Sequence, residues 1–583
     1  MSSIEQVRHS LAHLLAGAVL EIWPEAKPTI GPVIDNGFYY DFDLPSPISD
    51  KDLSKIEQKM REIFKKWDKF EKQEISPEEA GKFFKDNPYK LELIKELAGS
   101  KEPITFYKSG DFTDLCRGGH VETAKELKDS AWKLSRVAGA YWRGDEKNKM
   151  LTRIYGLAFS TKKELEDYEK QIEEAKKRDH KKLGKELDLF MISEEVGKGL
   201  PLWLPKGAFI RHKLEEYMYQ KEYEKGYKYV YTPVLTHKRL YEVSGHLDHY
   251  RDDMYNPINI EGEDYYLKPM NCPHHHMIYR NKPLSYRDLP LRLAEFGLIH
   301  RFERSGVLTG LIRARCFTQN DSHIYCQPDD LKKELRAVLD LFGEVYKDFS
   351  IKDYWFRLSL PDFNKKEKYG DIQDEEMWNR ASEAARSTLE ESGMKYVEGK
   401  GEASFYGPKI DVQVRNVLGK EDTIATAQID FYSPKKFDLF FTNVKGEKEH
   451  PVIIHRAIMG SFDRFFAFLL EQTGGNFPLW LSPTQIKIIP VRESHKEYAE
   501  KIFRKLQQEG MRAELDSESE NLGKKVRRVK VEKIPYWIVV GDKEIETEKV
   551  TLESRDRGET SQIEVGKIIG MLREELKNPM HSV

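Results

Sequence analysis

Cysteine is scarce in this chain, with four residues among 583. That is too few for a disulfide framework and fits a reducing, cytoplasmic setting. Long apolar runs are missing too. No stretch approaches the roughly 18 residues needed to cross a bilayer, so no membrane partner is expected. The opening MSSIEQVRHSLAHLL lacks a basic segment followed by an apolar one, which argues against a secretion signal. Excess charge of one sign is absent, since the formal net charge is −3. A nucleic-acid partner is therefore not announced in bulk, and any such site must be a local patch. There is no internal repeat and no long low-complexity tract.

What is present is enough apolar chain for two to four cores. Hydrophobic residues make up 39% and charged residues 33%, a soluble globular balance. Residues 1–160 mix an amphipathic helix at 4–20, the strand-like GFYYDFDL at 37–44 and a Lys/Glu-rich helical stretch around 50–70. Residues 161–187 are almost wholly polar and helix-forming, and read as a solvated linking helix. An α/β region follows over 188–482. In it a helix at 207–225 stops at Gly226 before the strand YKYVYTPVL, 227–235. The proline-bearing FPLWLSPTQ, 477–485, marks a boundary. Beyond it IKIIPV, a helix at 494–510 and PYWIVVGD alternate as β-α-β, predicting a small C-terminal α/β domain over 483–583.

The most informative stretch is 291–326, which reads as two strands joined by a loop at about 304–310. Alternate residues of a strand share a face. Arg301 and Glu303 share one on the first strand. Arg313, Arg315, Phe317, Gln319, Asp321 and His323 share one on the second, against smaller or neutral residues on the other side. A solvated antiparallel face shows the same alternation, but the aromatic and apolar flanks favour a buried one. Further on, 450–472 predicts an apolar strand, a turn at Gly460-Ser461 and a helix with Arg464 in its first turns. An arginine beside free backbone amides suits a triphosphate, although many helices begin this way.

Together these segments resemble class II aminoacyl-tRNA synthetases. The resemblance implies that Arg301-Phe302-Glu303 is the family's motif 2, with Arg301 on the ATP α-phosphate and Glu303 on the adenine side. It makes Arg464 the motif 3 arginine near the γ-phosphate. It also makes 207–233, ending in Pro233, the motif 1 element of a homodimer interface. Cations suit this chemistry, because attack on the α-phosphorus spreads negative charge that arginines stabilise without proton transfer.

Three segments narrow the resemblance to the threonyl-tRNA synthetase family: LKPMNCPHHH (267–276), FTQNDSHIYC (317–326) and PVIIHRAIMGS (451–461). By that resemblance Cys272, His323 and His455 hold one catalytic Zn²⁺. Their spacing alone does not reveal it, and leaves open a buried cysteine, a core histidine, or other ligands among Cys316, Cys326 and His274–His276. The family match places Asp321 on the substrate ammonium and Gln319, Tyr406, Gln428 and Ser461 around threonine and its adenylate. Arg313 and Lys409 assist with charge, and Met270 lies beside the metal cysteine. The implied substrates are L-threonine, ATP with Mg²⁺, and tRNA(Thr). Physics agrees with a metal: an apolar pocket separates threonine from isosteric valine by only about 10²-fold, whereas a metal with an open position demands the hydroxyl.

Serine has that hydroxyl and lacks one methyl, worth about 1–3 kcal/mol, so a corrective hydrolytic site is expected. HSLAH places His9 and His13 on one helix face, and DLCRGGH holds Asp114, Cys116 and His120. The pattern resembles the editing domain shared by threonyl- and alanyl-tRNA synthetases, whose lysine matches Lys90. A metal and a histidine-activated water are equally compatible with it. At the C-terminus, the basic KKVRRVKVEK (524–533) sits in a domain resembling the family's anticodon-binding domain, with Asn521, Glu546 and Arg555 at matching positions.

The expected architecture is thus multidomain α/β. An α+β editing domain spans 1–160, a linking helix 161–187, an antiparallel-sheet class II catalytic domain 188–482, and an α/β anticodon-binding domain 483–583. Many bacterial relatives carry a further small β-rich domain ahead of the editing helix at which this sequence begins. The rivals are a class II enzyme for serine or proline, an inactive tRNA-binding paralogue, and a free-standing metal-dependent hydrolase. The Cys/His/His set with Asp321 disfavours the first. Intact Arg301, Glu303 and Arg464 disfavour the second. The third has no use for the hairpin or the C-terminal domain.

Overall fold

Ser3 starts the first helix, Ile4–Ile22, through a reciprocal cap. Its hydroxyl accepts from the Gln6 N–H while the Gln6 side chain accepts from the Ser3 N–H. Leu11, Leu14, Leu15 and Val19 of this helix are fully buried. In this computed structural model, which describes residues 3–100, 102–145, 147–364 and 375–577, the chain divides into units Met1–Glu173 and Glu174–Val583. In the first unit the helix packs on an antiparallel five-stranded sheet. Its strands run in the order Lys27–Pro28, Gly37–Asp43, Met150–Phe159, Ala131–Tyr141, with Val33–Ile34 also paired to Gly37–Asp43. A second sheet of Glu71–Glu74, Thr105–Ser109 and Phe112–Leu115 carries a small core of Phe84, Ile94 and Phe106.

The single linking helix predicted for 161–187 is two helices, Lys162–Arg178 and His180–Glu186. Asp179 breaks it, because its carboxylate accepts from the Lys181 and Lys182 N–H groups and caps the second helix.

In the second unit, Pro205 opens the helix Pro205–Glu224 at the position where a missing N–H costs nothing. The strand predicted over 227–235 shrinks to Lys228–Tyr229, and Leu235–His237 joins a separate three-stranded sheet. Pro233 lies between them and has no N–H to give a ladder. The main sheet has eight strands in the order Lys228–Tyr229, Leu291–His300, Cys316–Cys326, Val452–Ala457, Glu421–Asp430, Lys409–Arg415, Tyr354–Leu360, Tyr396–Lys400. All its pairings are antiparallel except the two at its edges. Apolar faces of the helices Leu331–Asp348 and Phe462–Thr473 bury Leu335, Val338, Phe342, Phe465 and Phe466 in its core.

The C-terminal segment has a five-stranded sheet. Ala513–Leu515, Ile486–Pro490 and Tyr536–Val540 are parallel, linked by the helices Lys496–Gln508 and Leu522–Val531; the predicted β-α-β matches the first strand, the first helix and the strand Tyr536–Val540, and Ala513–Leu515 is an additional strand between them. Val550–Ser554 and Gly558–Ile563 extend it antiparallel. No helix among the described residues is long and apolar enough to cross a membrane.

Candidate active sites

The hairpin of the main sheet pairs Leu291 with Tyr325 through to His300 with Cys316. Its strands are shorter than the alternation suggests. Arg301, Glu303, Arg313 and Arg315 lie beyond the ladder, in an irregular connection over 301–315. These residues reach one place all the same. Arg301, Glu303, Arg313, Gln319, Ser461 and Arg464 line a cavity of about 250 Å³. The Arg301 guanidinium stacks over Phe317 at 5.4 Å from the ring centre. Arg313 Nε donates to Glu303 Oε2 at 2.8 Å. Arg464 is anchored by Nε to the Ile312 carbonyl at 3.0 Å, and its N–H donates to the Ser461 cap at 3.1 Å. Burial first, and then Arg301 and Arg313 nearby, lower the Arg464 pKa. Guanidinium groups crowded in this way repel one another until an anion joins them. Gly460 makes the turn into the Arg464 helix at φ +58°. A Cβ there would lie 2.2 Å from the Ile424 carbonyl oxygen, so only glycine fits.

Beside this cavity the sheet assembles a row. His323 is opposite His455, His455 is opposite Gln428, and Gln428 is opposite Lys409. Directly opposed residues point to the same side, which brings together positions far apart in sequence. Cys272 arrives from another direction, at the start of the helix Cys272–Arg280. One ligand atom each from Cys272, His323 and His455 lie within 4.8 Å of one another. His323 Nε2 and His455 Nδ1 are both buried without a hydrogen-bond partner. Buried imidazole nitrogens rarely stay unpaired, so the set fits a metal ion with Cys/His preference, and Zn²⁺ is the ion those donors suit.

The surroundings agree. Burial disfavours charge on His455, yet the Cys272 thiol and Asp430 outweigh it and lift its pKa to about 10. Asp430 Oδ2 is 2.8 Å from His455 Nε2, and its other oxygen accepts from the Tyr432 and Ser433 N–H groups at 2.8 Å each. The other candidate ligands are occupied elsewhere. His274 Nε2 meets Thr236 Oγ1 at 2.6 Å, His276 Nδ1 meets the Tyr325 hydroxyl at 2.9 Å, and the Cys326 Sγ donates to the Val452 carbonyl at 3.7 Å.

Asp321 accepts from Asn271 Nδ2 at 2.9 Å. The Tyr406 hydroxyl donates to Gln428, and its ring lies 5.4 Å from His455. Met270 Sδ is 3.1 Å from His246 Nε2. Lys409 is held by Asp411 at 2.5 Å, and so is less available to a substrate than its family position suggests. Sequence reasoning missed Glu295 and Asp430, and read His275 only as an alternative ligand; Glu295 and His275 back His323 and Asp430 backs His455. It also missed His180, whose Nε2 accepts from the Leu311 N–H at 3.2 Å within the 301–315 connection. No signal in a single sequence marks any of them.

In the first unit, His9, His13, Cys116 and His120 form a second group able to hold an ion or to act without one. Cys116 Sγ lies 3.3 Å from both His9 Nε2 and His120 Nε2. The Gly118-Gly119 turn, with φ +106° and +89°, folds His120 back toward Cys116, and a Cβ on Gly118 would strike the Tyr107 hydroxyl at 2.5 Å. Burial pulls the pKa values of His9, His13 and His120 down and pushes the Cys116 thiol up to about 11. These groups are thus a neutral set of bases and a thiol at neutral pH. A cavity of about 450 Å³ opens beside Cys116 and Arg117.

Behind the group, Lys90 and Asp114 form a fully buried ion pair at 2.5 Å, and the Tyr40 hydroxyl, absent from the sequence reading, also donates to Asp114. Lys90→Ala strands a buried carboxylate. It should lower the stability of this unit by about 3–5 kcal/mol in urea titration. An unchanged midpoint would show that Asp114 is solvated.

In the C-terminal segment, Asn521 Oδ1 caps the basic helix through the Lys524 N–H at 3.0 Å. Glu546 is exposed on a short helix. Arg555 donates to the Lys533 carbonyl at 2.8 Å and the Phe477 carbonyl at 3.1 Å.

Comparison with known proteins accounts for all three segments. Residues 255–473 match the tRNA synthetase class II core domain (G, H, P, S and T), and residues 485–575 match the anticodon binding domain. Residues 104–155 match the threonyl and alanyl tRNA synthetase second additional domain. A threonine–tRNA ligase from Staphylococcus carnosus (strain TM300) is 50% identical over 577 residues, 99% of this chain and 88% of the relative. One from Geobacillus sp. (strain WCH70) is 48% identical over 578 residues, 99% and 89% of the two chains. Among solved structures, the RNA binding domain of threonyl-tRNA synthetase from Cryptosporidium parvum Iowa II matches with a TM-score of 0.63 at 35% identity, covering 68% of this chain and 98% of that one. An arginine-lined cavity beside a Cys/His/His cluster, a separate His/Cys cluster and relatives this similar along the whole chain lead to one conclusion: the chain belongs to the threonine–tRNA ligase family of class II synthetases.

Proposed function

We propose that this chain joins L-threonine to tRNA(Thr) at the expense of ATP and hydrolyses seryl-tRNA formed in error. The observation that carries this reading is the adjacency of the cavity lined by Arg301 and Arg464 to the Cys272, His323 and His455 cluster. The strand Cys316–Cys326 serves both, with Gln319 in the first and His323 in the second.

In the first step the threonine carboxylate attacks the ATP α-phosphorus. A bond to that phosphorus forms, the bond to the bridging oxygen breaks, and pyrophosphate leaves as threonyl-adenylate is made. Arg301 and Arg464 stabilise the charge that spreads over the phosphoryl oxygens, with Mg²⁺ accompanying the nucleotide. Glu303, held by Arg313, faces the adenine side. Asp321 orients the substrate amino group while Gln319, Tyr406, Gln428 and Ser461 enclose the side chain and adenylate. Cys272, His323 and His455 would hold a zinc ion, which would supply Lewis-acid selectivity for the threonine hydroxyl. In the second step a hydroxyl of the tRNA terminus displaces AMP from the adenylate.

The chain acts as a homodimer through the helix Pro205–Glu224 and the segment after it. Tyr219, Tyr223 and Tyr231 stand exposed there, and aromatic surface of this kind suits a two-fold interface. Four unpaired cysteines fit work in the reducing cytoplasm. Asn521, Glu546 and Arg555 read the anticodon.

Editing falls to His9, His13, Cys116 and His120. The neutral imidazoles take a proton from the water that attacks the seryl ester. The variant with His9→Ala and Cys116→Ala should charge threonine at the wild-type rate yet accumulate seryl-tRNA, and deacylation of added seryl-tRNA should slow by about 10²-fold or more. Clearance of seryl-tRNA at the normal rate would move the hydrolytic site elsewhere.

A further inference from the structure

His323 and His455 are backed differently. His455 meets a carboxylate directly, through Asp430. His323 meets another histidine: its Nδ1 lies 2.8 Å from His275 Nδ1, with the ring planes at 77°. His275 is fully buried, and its Nε2 lies 3.2 Å from Glu295 Oε2. Glu295 sits opposite Asp321 in the neighbouring strand, on the same side of the sheet as His323. It also accepts from the Thr232 N–H and hydroxyl at 2.9 Å each, and Lys268 Nζ approaches at 3.4 Å.

The hydrogen bonds admit one consistent proton arrangement for neutral rings. A carboxylate only accepts, so His275 must carry its proton on Nε2 to meet Glu295. Its Nδ1 then has a lone pair and accepts. The facing nitrogen, His323 Nδ1, must therefore donate. With its proton there, His323 is left with a lone pair on Nε2, the buried nitrogen that has no partner. The same short helix that delivers Cys272 delivers His275 three residues later.

We propose that His275 and Glu295 form a positioning relay that fixes the tautomer and ring orientation of His323, so that its Nε2 is presented as a metal ligand beside Cys272 and His455. This inference rests on the zinc reading above and extends it to two residues that touch neither metal nor substrate. Carboxylate partners of metal-bound histidines characteristically hold the ring and raise its donor strength. Here the carboxylate acts through an intervening imidazole.

The test is metal binding by the full chain, without reference to catalysis. Zn²⁺ content and competition against a chelator give affinity, and the Co²⁺-loaded protein gives a ligand-field spectrum. His275→Phe keeps a ring but cannot accept from His323. Glu295→Gln keeps the shape and removes the charge. Each should weaken Zn²⁺ binding by about 10–100-fold and shift the Co²⁺ bands in a chain that remains folded by circular dichroism, although Glu295→Gln also takes the carboxylate from buried Lys268 and should lower the thermal transition. His275→Asn, whose amide oxygen can still accept, should recover part of the affinity. Should His275→Phe fail to fold, Glu295→Gln carries the same prediction. Wild-type affinity and an unshifted Co²⁺ spectrum in a folded variant would overturn the relay while leaving the zinc reading intact. A wild-type chain that takes up no metal would overturn both.

Discussion

Replacing Arg301 with alanine should slow threonine-dependent ATP–pyrophosphate exchange by about 10²–10³-fold while leaving the thermal transition in place. The size follows from its position. The guanidinium lies over Phe317 at the wall of the cavity it shares with Arg464, where the proposed function puts the phosphoryl group as the adenylate forms. Loss of fold is not expected, because Arg301 is partly exposed and its one side-chain hydrogen bond among those described, to the Pro269 carbonyl, is long at 3.4 Å. Arg301→Lys should restore little, since an ammonium is a point charge without the planar fork that meets two phosphoryl oxygens. Exchange close to wild type in the alanine variant would remove Arg301 from the reaction.

Cys272→Ser should cost the chain its zinc and its threonine activation together. A serine hydroxyl is nearly the same size as the thiol but stays protonated, so it is a poor zinc ligand. Without the Lewis-acid position the site loses several kcal/mol of hydroxyl recognition, and exchange with threonine should fall by about 10³-fold. Metal analysis of the purified variant separates this from a purely structural effect. Full zinc content would show that other residues hold the ion. The geometry speaks against Cys316 and Cys326 in that role. Cys316 faces His300 at the far end of the strand, and Cys326 is buried against Val452.

Much of the architecture was legible from the chain itself. Gly226 marks the end of the helix Pro205–Glu224, while Pro233 breaks a strand that the apolar run alone made look continuous. The alternation of Gln319, Asp321 and His323 named one face of a strand correctly, because a ladder enforces that period. The same alternation misled at Arg313 and Arg315, which lie in irregular chain where no ladder imposes a period. The linking segment looked like one helix because its composition is uniform, and only the Asp179 side chain, bonded to backbone N–H groups, divides it.

The joining of His323 to His455, Gln428 and Lys409 is a matter of strand order, which no local pattern encodes. Family resemblance supplied those residues, and the sheet explains them. Tyr40, Glu295 and Asp430 were invisible for a related reason, and His275 was visible only as an alternative ligand. Each acts through a partner that the chain brings close only after folding, and a buried tyrosine or histidine reads in sequence as ordinary core.

The central claim is that a metal-centred pocket beside an arginine-lined cavity selects threonine for activation. ATP–pyrophosphate exchange by the wild-type chain, measured against a panel of threonine, serine, valine, proline and alanine, tests it most directly. Threonine should support rapid exchange and serine a weaker one, because serine keeps the hydroxyl and loses one methyl, worth about 1–3 kcal/mol. Valine, nearly isosteric with threonine but without a hydroxyl, should support none above background. Exchange with valine approaching that with threonine, or none with threonine, would contradict the account.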